Sequence, residues 1–488
     1  MHNDMLNKSV GRATAWSFAG EIAAKIFVPV TNIILARLLT PETFGIIASI
    51  NMVVCFADVF AQAGFQKYIV QHEYDSKESL FQGASVAFWT NLSLAMLFWM
   101  IICIFRNPIA YFVGNPGYGI GLAVAALSLP LSSFSCIQES LFQRQLNYKI
   151  LFYRRILVSL LPFVVTIPLA VFGLGYWALI IGTLAGNLLK AVMLTIVSEW
   201  KPNFFFDFLL FKRMLSFSMW TLFESIAMWA SSYIDILIIS NALGAYYTGL
   251  YKNSQTTVTS ILTIITGATT SVLFAALSRV QQDANKYNEI FYTFQRNVAI
   301  FVIPLGVGIF YFSDLITEIL LGSQWMEASP FIGIWGLCTS LVCAYGTFSR
   351  EVYRSKGKPR ISFIVQLLHI VFIVPICLYG VTQGFDKLIY LRSFAFLQII
   401  LIHMCFIKFY FGMSPFKMIW KTKEPILCSI LMSILLLFIH KYFAGNMIGE
   451  FCLILICILF YFFSLCLFKE YRLLILKKIF QKKICNRG

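Results

Sequence analysis

Long apolar segments follow one another along almost the whole chain. A helix needs about 20 apolar residues to cross the hydrocarbon core of a bilayer. Segments of that kind lie near residues 14–36, 44–65, 82–104, 118–137, 156–173, 176–196, 215–239, 249–274, 291–312, 328–348, 361–380, 387–407, 425–443 and 450–468. Hydrophobic residues make up 59% of the 488 residues and charged residues only 12%, whereas soluble proteins are about one quarter charged.

These segments predict an all-α polytopic membrane protein with about 14 transmembrane helices. The composition excludes a nucleic-acid-binding protein. It also leaves no polar stretch long enough for an independent soluble enzyme domain.

The basic residues are unevenly placed between the apolar segments. Lys and Arg number 38 and exceed the 22 Asp and Glu. Consecutive connecting segments lie on opposite sides of a membrane. The set that includes both termini holds 29 of these basic residues, and the opposite set holds 4. The remaining 5 lie inside spans. Because cytoplasmic loops carry the excess of Lys and Arg, both termini are predicted to be cytoplasmic. The basic tail from Lys469 to Arg487 is then explained as an anchor on anionic lipid.

A weak internal repeat relates two parts of the chain at an offset of 204 residues. The matched pairs are Ile34 with Ile238, Leu39 with Leu243, and Gly45 with Gly249. In each part this segment joins the first and second helix of a possible six-helix unit, and an even-numbered repeat gives both units the same orientation. The predicted architecture is two pseudo-symmetric six-helix lobes around a central cavity, residues 1–200 and 201–410. Two further helices and the tail form residues 411–488.

Several spans carry polar side chains along one face. A charged group at the bilayer centre costs about 2.5 to 3.5 kcal/mol, so it usually faces a cavity or a partner. Spacings of 4, 7 and 11 residues keep these side chains on one side of a helix. The longest stripe, on the eighth span, is a lysine followed by threonines, which suits a wet wall that offers hydroxyl groups to sugars. The candidate substrate-binding residues are Lys25, Glu21, Asp58, Glu224, Asp235, Lys252, Thr256, Thr259, Thr263, Thr266, Arg296 and Arg392.

Each of these features also has a structural explanation. Glu21 and Lys25 are four residues apart and can form an intrahelical ion pair. Threonine hydroxyls in membrane helices often bond to a carbonyl of the preceding turn, and small polar faces also mark close helix packing. Long basic side chains near a span end can extend to the membrane surface, and this applies to Lys190, Lys252, Arg296 and Arg392. The sequence leaves these alternatives open.

No catalytic motif is present in the sequence. It contains no P-loop, no H-E-x-x-H and no G-x-S-x-G, which are the signatures of common nucleotide, zinc-protease and hydrolase sites. Most of the 12 cysteines lie inside apolar runs, and no two form a C-x-x-C pair, as expected of small buried hydrophobic residues. The chain is therefore predicted to be a transporter with no cofactor or metal, and not an enzyme.

Two segments resemble a known group of transporters. They are ARLLTPETFG (Ala36–Gly45), which runs into the second span, and the basic FQRQLNYKILFYRR (Phe142–Arg155). Together with the number of spans and the repeat, they resemble the polysaccharide branch of the multidrug/oligosaccharidyl-lipid/polysaccharide exporter superfamily. Its members are the O-antigen and capsule repeat-unit flippases. The resemblance covers the whole chain and is strongest in the first 155 residues. It offers no short site motif, so no binding residue is transferred from it.

The resemblance implies translocation of undecaprenyl-diphosphate-linked oligosaccharide across the bacterial inner membrane, from the cytoplasmic to the outer face, by alternating access. The product would serve lipopolysaccharide O-antigen, capsule or exopolysaccharide assembly. Membrane lipids, a polysaccharide polymerase and a chain-length regulator are the further partners it suggests. Lys25 is the expected counter-charge of the diphosphate. The carboxyl groups Glu21, Asp58, Glu224 and Asp235 are candidates for proton exchange with an ion gradient.

Other functions fit the same composition. A drug or metabolite antiporter, or a flippase for lipid-linked peptidoglycan precursors, would belong to the same superfamily. An integral-membrane O-antigen polymerase or ligase is the alternative from another class. Such an enzyme needs a sizeable outward loop with Arg or His, and the predicted outward loops are short and hold few basic residues.

Overall fold

The computed structural model describes residues 16, 20, 21, 25–62, 64–358, 360–443 and 447–468. These residues form α-helices and one 3₁₀ helix (Ser323–Ala328), and no strand occurs among them. The helices are α1 (25–38), α2 (Pro41–Gln62), α3 (Phe65–Gln71), α4 (Lys77–Ile104), α5 (Arg106–Phe112), α6 (Gly119–Ala125), α7 (Ser128–Arg144), α8 (Tyr148–Val164), α9 (Thr166–Val171), α10 (Tyr176–Val197), α11 (Phe208–Arg279), α12 (Ala284–Tyr311), α13 (Ser313–Leu320), α14 (Ser329–Tyr345), α15 (Thr347–Ser355), α16 (Arg360–Thr382), α17 (Phe385–Phe396), α18 (Gln398–Phe411), α19 (Pro415–Trp420), α20 (Lys423–Phe443) and α21 (Met447–Cys466).

Twelve helical stretches of the described chain are long and apolar enough to cross a membrane. Eleven of them fall on eleven of the predicted segments. The other, Thr221–Gly267, has 47 residues, about twice what one span needs, and it covers both the seventh and the eighth predicted segments. The first predicted segment, 14–36, lies partly outside the described residues. The all-α membrane fold is confirmed, and the number fourteen stays a prediction.

Gly244 divides α11 into two helices. Its backbone has a φ of 83° and a ψ of −178° inside an otherwise helical run of 72 residues. Only glycine adopts this conformation without strain, because a Cβ atom would clash with the backbone. We call the two parts α11a (208–243) and α11b (245–279). They correspond to the seventh and eighth predicted spans.

The chain folds as two compact units. The first comprises Met1–Asn253 with Cys377–Phe385, and the second comprises Ser254–Ile376 with Asp386–Gly488. The first unit extends past residue 200 because α11a packs on α2. Nε1 of Trp229 donates to the carbonyl oxygen of Met52 (3.0 Å), and the hydroxyls of Ser49 and Ser240 lie 2.8 Å apart. This grouping describes packing alone, and the division into lobes at residues 200 and 410 stays a prediction.

Within the first unit, α2 and α11b cross with their backbones in contact. A Cβ atom on Gly45 would overlap the carbonyl oxygen of Ala245, and a Cβ atom on Gly249 would overlap that of Pro41. Neither position can hold a side chain unless the helices move apart. The offset of 204 residues relates position 41 to 245 and position 45 to 249. A two-fold axis between the two helices produces such a reciprocal contact, and the contact therefore agrees with the internal repeat.

In the second unit, α12 packs closely on α14 and on the C-terminal helices. A Cβ atom on Gly306 of α12 would overlap Ser340 of α14, and small residues of this kind let membrane helices approach closely. The hydroxyl of Tyr461 in α21 donates to the carbonyl oxygen of Ile300 in α12 (2.8 Å). The two C-terminal helices are therefore packed against the body of the second unit.

Candidate functional site

The candidate residues divide evenly between the two units. All four acidic candidates and both lysines belong to the first unit, whereas the threonines and the two arginines belong to the second. The first group is Glu21, Lys25, Asp58, Glu224, Asp235 and Lys252, and the second is Thr256, Thr259, Thr263, Thr266, Arg296 and Arg392. All acidic candidates therefore lie in the first unit, whereas basic candidates lie in both.

Glu21 and Lys25 have different surroundings. Oε1 of Glu21 lies 3.9 Å from Nη1 of Arg155, and both side chains are partly exposed, so this pair contributes little to stability. The spacing of Glu21 and Lys25 allows an ion pair, but none is formed between these two described residues. Lys25 is half-buried, and no carboxylate of the described chain lies at ion-pair distance from it.

Asp58 of α2 lies in a chain of neutral hydrogen bonds. Nε2 of Gln62 donates to one carboxylate oxygen (2.5 Å), and the hydroxyl of Ser132 in α7 donates to the other (3.4 Å). Nε2 of Gln66 in turn donates to Oε1 of Gln62 (2.9 Å). These donors fix the carboxyl group without a basic partner at ion-pair distance in the described residues. A group held in this way can gain or lose a proton without breaking a salt bridge.

Lys252 of α11b lies close to the same region. Its Nζ is 5.3 Å from the ring centroid of Tyr233 in α11a, and an aromatic face stabilises a cation placed over it. The hydroxyl of Tyr233 donates to Sγ of Cys55 in α2 (3.4 Å). Cys55 interacts electrostatically with both Asp58 and Lys252. The structure thus places a lysine and a carboxylate from different predicted spans around one cysteine.

The two acidic candidates of α11a have different surroundings. Asp235 is only 2% exposed and accepts a hydrogen bond from the hydroxyl of Tyr251 (2.6 Å). Oε2 of Glu224 lies 3.7 Å from Nζ of Lys67, and its side chain is 39% exposed. Asp235 is therefore a buried, hydrogen-bonded group, whereas Glu224 forms a loose ion pair.

One cluster of charges in the first unit was not predicted. Oε2 of Glu139 in α7 pairs with Nη1 of Arg154 in α8 (2.9 Å) and with Nζ of Lys190 in α10 (3.0 Å). All three side chains are mostly buried, and two cations on one carboxylate leave a positive charge. Lys190 is thus held by Glu139, and its extension to the membrane surface stays a prediction. Glu139 and Arg154 fall just outside the predicted spans, whereas α7 and α8 continue over them, which is why sequence reasoning missed the cluster.

The segment Phe142–Arg155, one of the two that resemble the exporters, also has a structural role. Nη1 of Arg144 donates to the carbonyl oxygens of Ile69 (2.9 Å) and His72 (2.5 Å). Basic side chains stabilise helix C-termini by binding the last carbonyls, so Arg144 fixes the end of α3. The segment therefore connects α3, α7 and α8.

The threonine stripe of α11b bonds mostly within its own helix. The hydroxyl of Thr263 donates to the carbonyl oxygen of Ser260 (3.1 Å), and that of Thr266 donates to Leu262 (3.1 Å). Thr266 is buried, whereas Thr259 is exposed. Intrahelical bonding is one of the alternatives that the sequence left open, although a donating hydroxyl can still accept a hydrogen bond. The wet wall stays a prediction.

The two arginines of the second unit are placed differently. Cζ of Arg392 in α17 lies 5.1 Å from the ring centroid of Trp335 and 5.5 Å from that of Phe396. Its side chain does not extend to the membrane surface, because the residue is only 3% exposed; that interpretation is wrong. Cation–π contacts stabilise a guanidinium in such a position. Arg296 lies half-buried in α12.

Comparison with known proteins identifies the family. Residues 34–330 match a family model described as "Polysaccharide biosynthesis protein". The succinoglycan biosynthesis transport protein ExoT of Rhizobium meliloti (strain 1021) is 24% identical over 442 residues, which cover 90% of this chain and 88% of ExoT.

Solved structures show the same fold. The lipid II flippase MurJ in an inward closed conformation has a TM-score of 0.77 at 17% identity, over 95% of this chain and all of that one. A multidrug resistance MATE family transporter of the MOP superfamily in an inward-facing conformation has a TM-score of 0.60 at 15% identity. The match covers 82% of this chain and 96% of that transporter. The chain therefore has the fold of these transporters, and it belongs to the polysaccharide biosynthesis protein family.

Proposed function

We propose that the chain moves undecaprenyl-diphosphate-linked oligosaccharide repeat units from the cytoplasmic to the outer face of a bacterial cytoplasmic membrane. The observation that carries this proposal is the group of basic side chains within the membrane helices of the first unit. Lys25, Arg155, Lys190 and Lys252 all belong to it. Glu21 lies at ion-pair distance from Arg155, and Glu139 pairs with Lys190. A lipid-linked diphosphate needs such a positive environment, because an uncompensated charge in hydrocarbon is costly.

The substrate places two different demands on the protein. Its diphosphate and glycan must cross about 30 Å of hydrocarbon, whereas its polyprenyl chain can remain in the lipid. Cations on α1, α8, α10 and α11b would hold the phosphates by charge-assisted hydrogen bonds. We infer that the substrate is exposed to each side in turn by alternating access, which avoids an open pore between the two faces.

Energy for transport can come from the membrane potential or from a proton gradient. A cell interior that is negative assists the outward movement of a negative charge, by about 2.3 kcal/mol per unit charge and 100 mV. Asp58 and Asp235 are both suited to proton exchange, because neutral groups donate to each of them: Gln62 and Ser132 to Asp58, and Tyr251 to Asp235. We propose these two carboxyl groups as the first to examine for ion coupling.

The family favours polysaccharide over the other transported substrates. The name of ExoT assigns it to transport in succinoglycan biosynthesis, and this relative spans nearly the whole chain. The likeness to MurJ and to the multidrug transporter supports the fold but selects no substrate, since identity is 17% or less. We propose a polysaccharide polymerase and a chain-length regulator, acting on the outer face, as partners. Both termini of this chain are proposed to be cytoplasmic.

Deletion of the gene in its host tests the proposal. We expect the surface polysaccharide to fall at least about tenfold and its lipid-linked repeat unit to accumulate on the cytoplasmic face, because synthesis continues while transport stops. Lectin labelling of spheroplasts before and after permeabilisation locates the accumulated lipid. Normal surface polysaccharide in the deletion strain, or accumulation on the outer face, would contradict the proposal.

A further inference from the structure

A cleft with both polar and apolar walls opens in the first unit between α1, α8, α9 and α10. Its volume is about 350 Å³. Six polar side chains line it, together with aliphatic residues, and none of the six carries a charge: Thr31, Asn32, Ser159, Thr166, Thr183 and Asn187. A cleft with uncharged polar groups and aliphatic walls suits a small neutral molecule that has both hydroxyl groups and apolar faces.

Two glycines of α10 form part of the cleft wall. A Cβ atom on Gly182 would overlap Oγ1 of Thr166, so α9 and α10 are in close contact there. A Cβ atom on Gly186 would come no closer than 3.7 Å, to a methyl group of Leu161. The sequence Gly182-x-x-x-Gly186 is a common packing motif. Here close packing requires a glycine only at Gly182, whereas a Cβ atom at Gly186 would make ordinary van der Waals contacts.

Most of the polar side chains in the cleft keep unused hydrogen-bonding capacity. Thr31 and Thr183 donate to carbonyls of their own helices, Phe27 (2.9 Å) and Leu179 (2.8 Å). The side chains of the other four form no hydrogen bond to any part of the chain that the structure describes: Asn32, Ser159, Thr166 and Asn187. The two amides alone offer four N–H donors and two carbonyl acceptors. A ligand with several hydroxyl groups can use donors and acceptors at once.

Three helices that line the cleft also carry basic residues. Lys190 follows Asn187 by three residues on α10, and Arg155 precedes Ser159 by four on α8. Spacings of three and four residues keep side chains on one helix face, about 4.5 to 6 Å apart along the axis. On α1, Lys25 and Asn32 are seven residues apart and share a face as well. Neutral polar groups and cations thus follow each other along three helices.

We propose that this cleft is a subsite for the sugar residue joined directly to the diphosphate. The sugar would lie among the amides and hydroxyls, and the diphosphate beside Lys190, Arg155 and Lys25. The inference rests on the proposed function, because it assumes a diphosphate-linked glycan as the substrate. It adds that the protein recognises the first sugar as well as the charge of the diphosphate. The cleft would therefore help to determine substrate specificity.

The test compares lipids with and without a sugar on the purified full chain in nanodiscs of zwitterionic lipid. The probes are undecaprenyl diphosphate, and the same lipid carrying one hexose or one N-acetylhexosamine. We expect at least one sugar-bearing lipid to bind about tenfold more tightly than the bare lipid. Asn187→Leu should remove most of this advantage, and Ser159→Ala should reduce it about threefold, because each deletes a hydrogen-bonding group. Binding of the bare lipid should not change.

Leu188→Ala is the matched control. Leu188 is the neighbour of Asn187 on α10, and it is 52% exposed on the apolar surface, so its truncation should leave the preference for the sugar unchanged. If Asn187→Leu does not fold, Ser159→Ala keeps the test decisive, because it removes only one hydroxyl. The proposed subsite would be contradicted if the wild type bound all three lipids with equal affinity. It would also be contradicted if both variants kept the full preference for the sugar-bearing lipid. If wild type binds none of these lipids, the proposed function itself fails.

Discussion

Replacing Gly45 or Gly249 with alanine is expected to lower both the thermal stability of the purified chain and its transport activity. Each new methyl group would occupy the position of a backbone carbonyl on the partner helix, Ala245 or Pro41. Overpacking of a close contact costs about 1 to 3 kcal/mol, and backbone atoms cannot move aside as a side chain does. We expect the unfolding midpoint in detergent to fall by several degrees and surface polysaccharide to fall about tenfold.

Gly308→Ala is the control for this substitution. Gly308 also lies within a helix, but a Cβ atom there would meet no atom within 4 Å. Because alanine favours a helix over glycine by about 1 kcal/mol, this variant should be neutral or slightly stabilised. The double variant Gly45→Ala, Gly249→Ala should cost less than the sum of the single changes, since both act on one contact. Wild-type stability of both single variants would show that α2 and α11b do not cross as described.

Lys25→Ala is expected to abolish surface polysaccharide while the amount of protein stays near that of the wild type. A charge-assisted hydrogen bond contributes about 1.5 to 3 kcal/mol, which corresponds to a loss of about ten- to a hundredfold in transport. Lys25→Arg should retain part of the activity because the charge survives. Surface polysaccharide per unit of membrane-inserted protein is the quantity to measure.

The double variant Lys25→Ala, Glu21→Ala distinguishes the two explanations of Lys25. If Lys25 only neutralises Glu21, removal of both charges should restore transport. The structure favours the other result, because Glu21 lies 3.9 Å from Arg155 and forms no ion pair with Lys25 in the described chain. We therefore expect the double variant to remain inactive. Recovery of surface polysaccharide would rule out an essential contact between Lys25 and the substrate.

The membrane fold could be predicted from the sequence because it depends on local composition. A run of about 20 apolar residues has few solutions other than a transmembrane helix, in which every backbone group is bonded internally. The break at Gly244 also fell between two predicted spans. The helix ends were harder to place, because α7 and α8 continue over charged residues such as Glu139 and Arg154.

Contacts between helices could not be predicted from spacing along the chain. Periodicity shows which side chains share a face of one helix, but not which helix they meet. Lys190 therefore looked like a residue that extends to the surface, although Glu139 binds it. The same inference was made for Arg392, although its guanidinium lies against two aromatic rings. Nor did any sequence signal join Asn32, Ser159 and Asn187, which three separate helices bring to one cleft.

Transport by the purified chain tests the proposed flippase activity most directly. The full chain is reconstituted into vesicles that contain an undecaprenyl-diphosphate-linked oligosaccharide from a polysaccharide-producing host, and an impermeant glycosidase is added outside. With the wild type, in the presence of a membrane potential or a proton gradient, the enzyme should release glycan from both leaflets. With Lys25→Ala it should release only the outer-leaflet share. Release limited to that share with the folded wild type, under either gradient, would contradict the central claim that this chain moves lipid-linked glycan across the membrane.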